Sequence, residues 1–102
     1  MKITKIDAFA VALPARRLHR MATKRAVDDL GRYTIAVVST DEGVEGLGEA
    51  TVMREWGGDN GRYYGESPEL TVTVIRDILG PALEGADPFN IERANVALDV
   101  AI

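Results

Sequence analysis

The sequence predicts an α+β domain, strands first and helices after, and three observations carry that prediction. Apolar residues alternate with period 2 in three segments of the first half, near residues 2–13, 33–38 and 44–52. Asp41-Glu42-Gly43 separates the second from the third and supplies a residue able to take φ > 0, so those two strands form a hairpin. From Ser67 onward the apolar period changes to 3.6, in two successive stretches.

Lys2 to Leu13 is the longest strand candidate. Ile3, Phe9, Val11 and Leu13 fall on one face and Ile6, Ala8, Ala10 and Ala12 on the other, so its C-terminal half is apolar on both sides and expects cover on both. Pro14 lacks the N–H that a central ladder needs and ends the strand. Residues 14–31 form a long connection, at the upper limit of what a compact domain carries without a functional reason, and Gly31 closes it.

The hairpin follows. Tyr33, Ile35 and Val37 alternate with Thr34, Ala36 and Val38; on the returning strand Val44, Gly48, Ala50 and Val52 share one face and Glu45, Leu47, Glu49 and Thr51 the other. Gly46 and Gly48 weaken a strand unless something approaches its backbone closely, which predicts a packing surface there. Residues 53–66 then carry glycines at 57, 58, 61 and 65, a density that forbids regular structure. The same stretch holds Trp56, Tyr63 and Tyr64, half of the six aromatic residues, which suits either a loop closing over a ligand or rings packed back on their own sheet.

Ser67 is suited to a helix N-cap, Pro68 to the first helical position and Glu69 to the positive end of the helix dipole. Leu70, Val74, Ile75 and Ile78 form an apolar stripe, and Gly80 is expected to stop the helix. A second helix starts near Asp87-Pro88 or Asn90 with Ile91, Ala94, Leu98 and Ile102 on one face. Its pattern is still running at Ile102, which suggests a longer polypeptide.

Composition narrows the function classes. At 102 residues, 46% hydrophobic and 27% charged, the chain is one ordinary globular domain. It has no cysteine, hence no disulfide framework and no thiol nucleophile, which favours a reducing compartment and a cytoplasmic location. No apolar run approaches the roughly 18 residues of a membrane span. The first 40 residues hold eight Lys/Arg against three Asp/Glu, while the remainder holds four against thirteen. Arg16, Arg17, Arg20, Lys24, Arg25 and Arg32 crowd the first long loop, yet no aromatic residue lies between Phe9 and Tyr33, so a nucleic-acid surface is not expected.

Self-contained chemistry is largely absent. Gly46-Leu47-Gly48 lacks the third glycine and following helix of a dinucleotide fingerprint, and no phosphate-loop motif occurs. His19 is the only histidine, which excludes a His-rich zinc site and leaves a catalytic triad without support. Glu42 sits in the turn while Glu45 and Glu49 lie about 13 Å apart along one strand face, too far to share a metal ion.

The order of these segments, with GLGEAT at 46–51 and ESPE at 66–69, resembles the N-terminal capping domain of the enolase superfamily, in the mandelate racemase/muconate lactonizing group and nearest to muconate cycloisomerase. The resemblance covers essentially the whole chain and implies a three-stranded antiparallel meander followed by helices, capping a (β/α)-barrel of the same polypeptide, commonly in a homo-oligomer. It implies a Mg²⁺ ion held by barrel carboxylates, an enolate formed α to a substrate carboxylate, and no catalytic residue or metal ligand within these 102 residues. The resemblance also implies that two loops of the cap select the substrate and exclude water, and by order along the chain these correspond to residues 15–31 and 53–65. The candidate substrate-contacting residues are His19, Arg20, Met21 and Lys24 on the first loop and Met53, Trp56, Tyr63 and Tyr64 on the second. A racemase, dipeptide epimerase or sugar-acid dehydratase is the alternative chemistry, and a free-standing non-catalytic α+β binding module is the alternative class.

Overall fold

A computed structural model describes residues 1–14, 16, 30–51 and 67–102. Strands β1 (Ile3–Pro14), β2 (Leu30–Thr40) and β3 (Glu45–Thr51) form one antiparallel sheet in the order β1-β2-β3. Helix α1 (Pro68–Val74) leads directly into a π-helical turn (Ile75–Leu79) and α2 (Gly80–Leu83), and α3 (Ile91–Ala101) follows. This is the α+β meander-then-helices architecture expected from the sequence. No helix among the described residues is long and apolar enough to cross a membrane.

The hairpin turn forms where the residues demand it. Gly43 takes φ 77°, and the Thr40 N–H and hydroxyl both donate to the Val44 carbonyl at 3.1 and 2.8 Å. Register then follows from pleating: Ile6, Ala8 and Ala10 lie opposite Val38, Ala36 and Thr34, and those opposite Gly46, Gly48 and Ala50. Opposed residues share a face, so one side of the sheet carries almost only small side chains. The helices pack on that side, bringing the Pro68 carbonyl to Thr34 and Gly80 to Ile6.

Three local expectations change. Ile3 does not share a face with Phe9, Val11 and Leu13, because an irregularity between Ile3 and Lys5 brings Ile3 opposite Thr40, in line with Val38, where it is 5% exposed. Gly80 does not stop the helix: its φ of −58° and ψ of −54° are helical, and the chain leaves the helix after Leu83, through a turn formed by Glu84, with ψ 129°, and Gly85, with φ 83°. Gly80 instead permits close approach, since a Cβ there would stand 2.8 Å from the Ile75 carbonyl oxygen and 3.5 Å from the Ile6 Cβ. Finally, α3 packs through Ala94, Ala97, Leu98 and Ala101, while Ile91 and Ile102 are exposed.

Cover is also one-sided among the described residues. Phe9, Leu13 and Leu47, on the face away from the helices, remain 46%, 51% and 78% exposed. The glycines of β3 have no close neighbour among those residues either: a Cβ at Gly46 would meet nothing within 4 Å, and one at Gly48 only the Ala36 Cβ at 3.9 Å.

Strand β1 is an edge, and its open side is tied down by side chains and loop. The Ile3 N–H donates to the Ala86 carbonyl and the Gly85 N–H to the Ile3 carbonyl, at 2.9 and 2.7 Å. Further along, Asp7 accepts from the Ala8 N–H at 2.8 Å and from Arg76 Nε at 2.6 Å, and the Arg76 guanidinium lies 5.5 Å from the Phe9 ring centroid. Arg76 first, and then the Ala8 N–H, hold the Asp7 carboxyl below the usual carboxylate range. A carboxyl lowered in the folded state contributes stability that is complete above its unfolded value near pH ~4 and is lost as pH falls through its folded value. Asp7→Asn removes that contribution at every pH. The melting-temperature gap between the parent and Asp7→Asn is therefore expected to close as pH is lowered from ~6 to ~2. A gap that stays constant across this range would show that the ionised Asp7 does not hold the helix to β1.

Candidate functional site

The two long connections begin and end at one end of the sheet. Pro14 pairs with Leu30 at the feet of the first, and Thr51, which precedes the second, pairs with Tyr33. The second connection ends at Ser67 and Pro68. Ser67 has an extended backbone, φ −120° and ψ 152°, and its Oγ accepts from the Leu70 N–H at 3.1 Å. This is the N-cap expected from Ser-Pro-Glu, and it sets the direction from which the chain enters the helix.

The end of the second connection is pinned to the sheet through one side chain. Thr34 Oγ1 donates to the Pro68 carbonyl oxygen at 3.5 Å, and Thr34 is 1% exposed. Ala10 and Ala50 flank it on the neighbouring strands, small enough to let α1 approach. Sequence reasoning placed Thr34 on a strand face but assigned it no role. Its one legible signal was a polar residue on a face otherwise made of alanine, glycine and aliphatic residues.

The candidate substrate-contacting residues His19, Arg20, Met21, Lys24, Met53, Trp56, Tyr63 and Tyr64 all lie outside the described residues. What the structure places is the scaffold on which those segments are mounted. Arg16, at the start of the first, is exposed.

Among the described residues no three His, Cys, Asp or Glu side chains converge on a common point. Glu42, Glu45 and Glu49 are all exposed, and Glu45 and Glu49 stand two residues either side of Leu47 on β3. The described residues do not fit a Mg²⁺ site.

Residues 5–102 match the family described as the mandelate racemase / muconate lactonizing enzyme N-terminal domain. The chain belongs to that family. Its sequence is 35% identical to the N-succinyl-L-Arg/Lys racemase of Bacillus cereus, in an alignment covering 100% of this chain and 25% of the racemase. The crystal structure of that racemase superposes with a TM-score of 0.82, at 32% identity over 100% of this chain and 25% of the racemase chain. The cis-3-hydroxy-L-proline dehydratase of Roseibium aggregatum is 32% identical, covering 100% of this chain and 26% of the dehydratase. The structure of 2-chloromuconate cycloisomerase from Rhodococcus opacus 1CP gives a TM-score of 0.80 at 32% identity, over 100% of this chain and 26% of the cycloisomerase.

The capping domain thus spans about a quarter of the length of the curated relatives it matches. Those relatives are enzymes of three kinds, a racemase, a dehydratase and a cycloisomerase, which share this domain and differ in reaction. The domain therefore does not specify the chemistry by its fold.

Proposed function

We propose that residues 1–102 form the substrate-specificity cap of a Mg²⁺-dependent isomerase or lyase that forms an enolate α to a substrate carboxylate, with muconate cycloisomerase-like chemistry first. The observation that supports this reading is that Pro14, Leu30 and Thr51, which flank the two long connections, lie at one end of the sheet, in a chain that belongs to the capping-domain family. A rigid sheet from whose one end two long segments leave suits a wall over a substrate mouth. In this reading the Mg²⁺ and the acid–base residues belong to a (β/α)-barrel of the same polypeptide, and the cap's own work is to bind, orient and keep water out.

The first loop, with Arg16, Arg17, Arg20, Lys24 and Arg25, supplies a positive potential that draws in a carboxylate. Met21 within it supplies an adaptable apolar contact. Trp56, Tyr63 and Tyr64 supply the opposite wall, apolar in body and polar at the tip. A racemase or epimerase of acylated amino acids is the second reading, favoured by the 35% identity to the N-succinyl-L-Arg/Lys racemase.

The test is a panel of cis,cis-muconate, N-succinyl-L-arginine and cis-3-hydroxy-L-proline offered to the full-length polypeptide and to residues 1–102 alone. The full-length polypeptide is expected to turn over at least one of them, to lose that activity with EDTA and to regain it with Mg²⁺. Residues 1–102 alone are expected to turn over none, because enolate formation needs an acid–base pair and a metal that the described residues do not provide. EDTA-sensitive turnover by the pure fragment, or an inert full-length polypeptide, would overturn the reading.

A further inference from the structure

We infer that Thr34 is a positioning residue for substrate selection: it holds Ala50 and Pro68, which flank the 52–66 segment, in one register at the end of the sheet. The inference rests on the cap reading for what that segment does, and on the following geometry for Thr34 itself. Ala50, one residue before the last residue of β3, lies directly opposite Thr34 across the ladder. Pro68, one residue after the N-cap, accepts the Thr34 hydroxyl at 3.5 Å. The two flanks of the segment thus meet at one residue, Ala50 through the backbone ladder and Pro68 through the Thr34 hydroxyl.

That side chain is polar where its neighbours are not. Ala10 and Ala50 flank it, Ala36 and Val38 follow it on the same face, and it is 1% exposed. Valine has nearly the same shape and would bury there without a hydroxyl needing a partner. A hydroxyl at this position spends its bond on the first carbonyl of α1, so it fixes where that helix starts relative to β3. At 3.5 Å the bond is long for O–H···O, so it orients the start of α1 more than it binds it. Ser67 Oγ, committed to the Leu70 N–H, keeps the same turn helical and lets the contact act on the helix as a unit.

The experiment compares Thr34→Val, which keeps the shape and removes the hydroxyl, with Thr34→Ser, which keeps the hydroxyl, both in the full-length polypeptide. Amide exchange is measured in peptides covering 67–74 and, as a reference, in peptides covering 39–46. Thr34→Val is expected to speed exchange in 67–74 by about threefold or more and to leave 39–46 at the parental rate, with Thr34→Ser close to parental. Unchanged exchange in 67–74, or an equal rise in both regions, would overturn the inference.

The second readout is the ratio of kcat/KM for the two best substrates of the panel, which cancels any difference in folded fraction within one preparation. Thr34→Val is expected to change that ratio by about threefold or more, and Thr34→Ser to restore it. A ratio at the parental value in Thr34→Val overturns the inference. If Met21→Ala and Trp56→Ala shift the ratio in the same assay, the cap reading survives that failure. If they too leave it unchanged, both fall together. Should no panel member be turned over, the cap reading falls and the role in substrate selection with it, while the exchange comparison still decides whether Thr34 positions the helix start.

Discussion

Gly80→Ala is expected to destabilise the domain by about 1–3 kcal/mol, the usual cost of forcing a methyl group into a filled site. At about 4–8 °C per kcal/mol for a domain of this size, the melting temperature should fall by at least ~4 °C. The backbone angles are not the cause, since Gly80 is helical at φ −58° and alanine is the better helix former. The cause is space. An added Cβ would lie 2.8 Å from the Ile75 carbonyl oxygen and 3.4 Å from the Ile6 carbonyl oxygen, and both are backbone atoms that cannot swing aside. The Ile75 carbonyl is close because the chain makes a π-helical turn here, with the Gly80 N–H bonded to Ile75. Relief therefore requires the helix to lift from β1 or the turn to rewind, and either disturbs the Arg76–Asp7 contact one turn earlier. Thermal unfolding followed by circular dichroism checks this. A parental melting temperature would mean that the helix does not depend on close approach at Gly80.

Met21→Ala and Trp56→Ala, made in the full-length polypeptide, are expected to lower kcat/KM by roughly tenfold or more on the preferred substrate and to change the order of preference across the carboxylate panel. Tenfold corresponds to about 1.4 kcal/mol of lost transition-state stabilisation, well within what removing one large apolar contact costs. The two residues sit on different connections of opposite character, Met21 among cationic residues and Trp56 among glycines. Their substitution should therefore affect different substrates: Met21→Ala those whose apolar part lies against the basic loop, Trp56→Ala those that need the aromatic wall. Thermal stability should change little, because both connections leave the end of the sheet rather than its helix-covered face. Steady-state kinetics on each variant, with melting temperatures alongside, separates the outcomes. Parental kinetics across the panel, or activity lost only with folding, would remove these loops from substrate selection.

The features legible in the sequence share a common property: they are set by residues within a few positions of one another. The hairpin followed from alternation on either side of Asp41-Glu42-Gly43, and Gly43 does take a positive φ. The N-cap followed from Ser67-Pro68-Glu69, and Ser67 Oγ does accept from Leu70. The likeness to the capping domains followed from short motifs, GLGEAT and ESPE, inside the stretch that matches the family. The candidate substrate-contacting residues have no such local signature. They sit in a glycine-dense segment and a long basic one that carry no hydrophobic period, and they lie outside the described residues.

By itself, then, the sequence determined the class and order of the elements, the turn, the first cap and the family, because period, capping and turn chemistry act over one to four residues. The tertiary structure alone decided the face of Ile3, the use of Gly80, the packing side of α3 and the meeting of Ala50, Thr34 and Pro68. Each of those depends on partners distant in the chain: Thr40 for Ile3, Ile6 for Gly80, and for Thr34 a carbonyl 34 residues away. A glycine that ends a helix and one that lets a helix touch a strand look alike in sequence, and only the element packed against it distinguishes them.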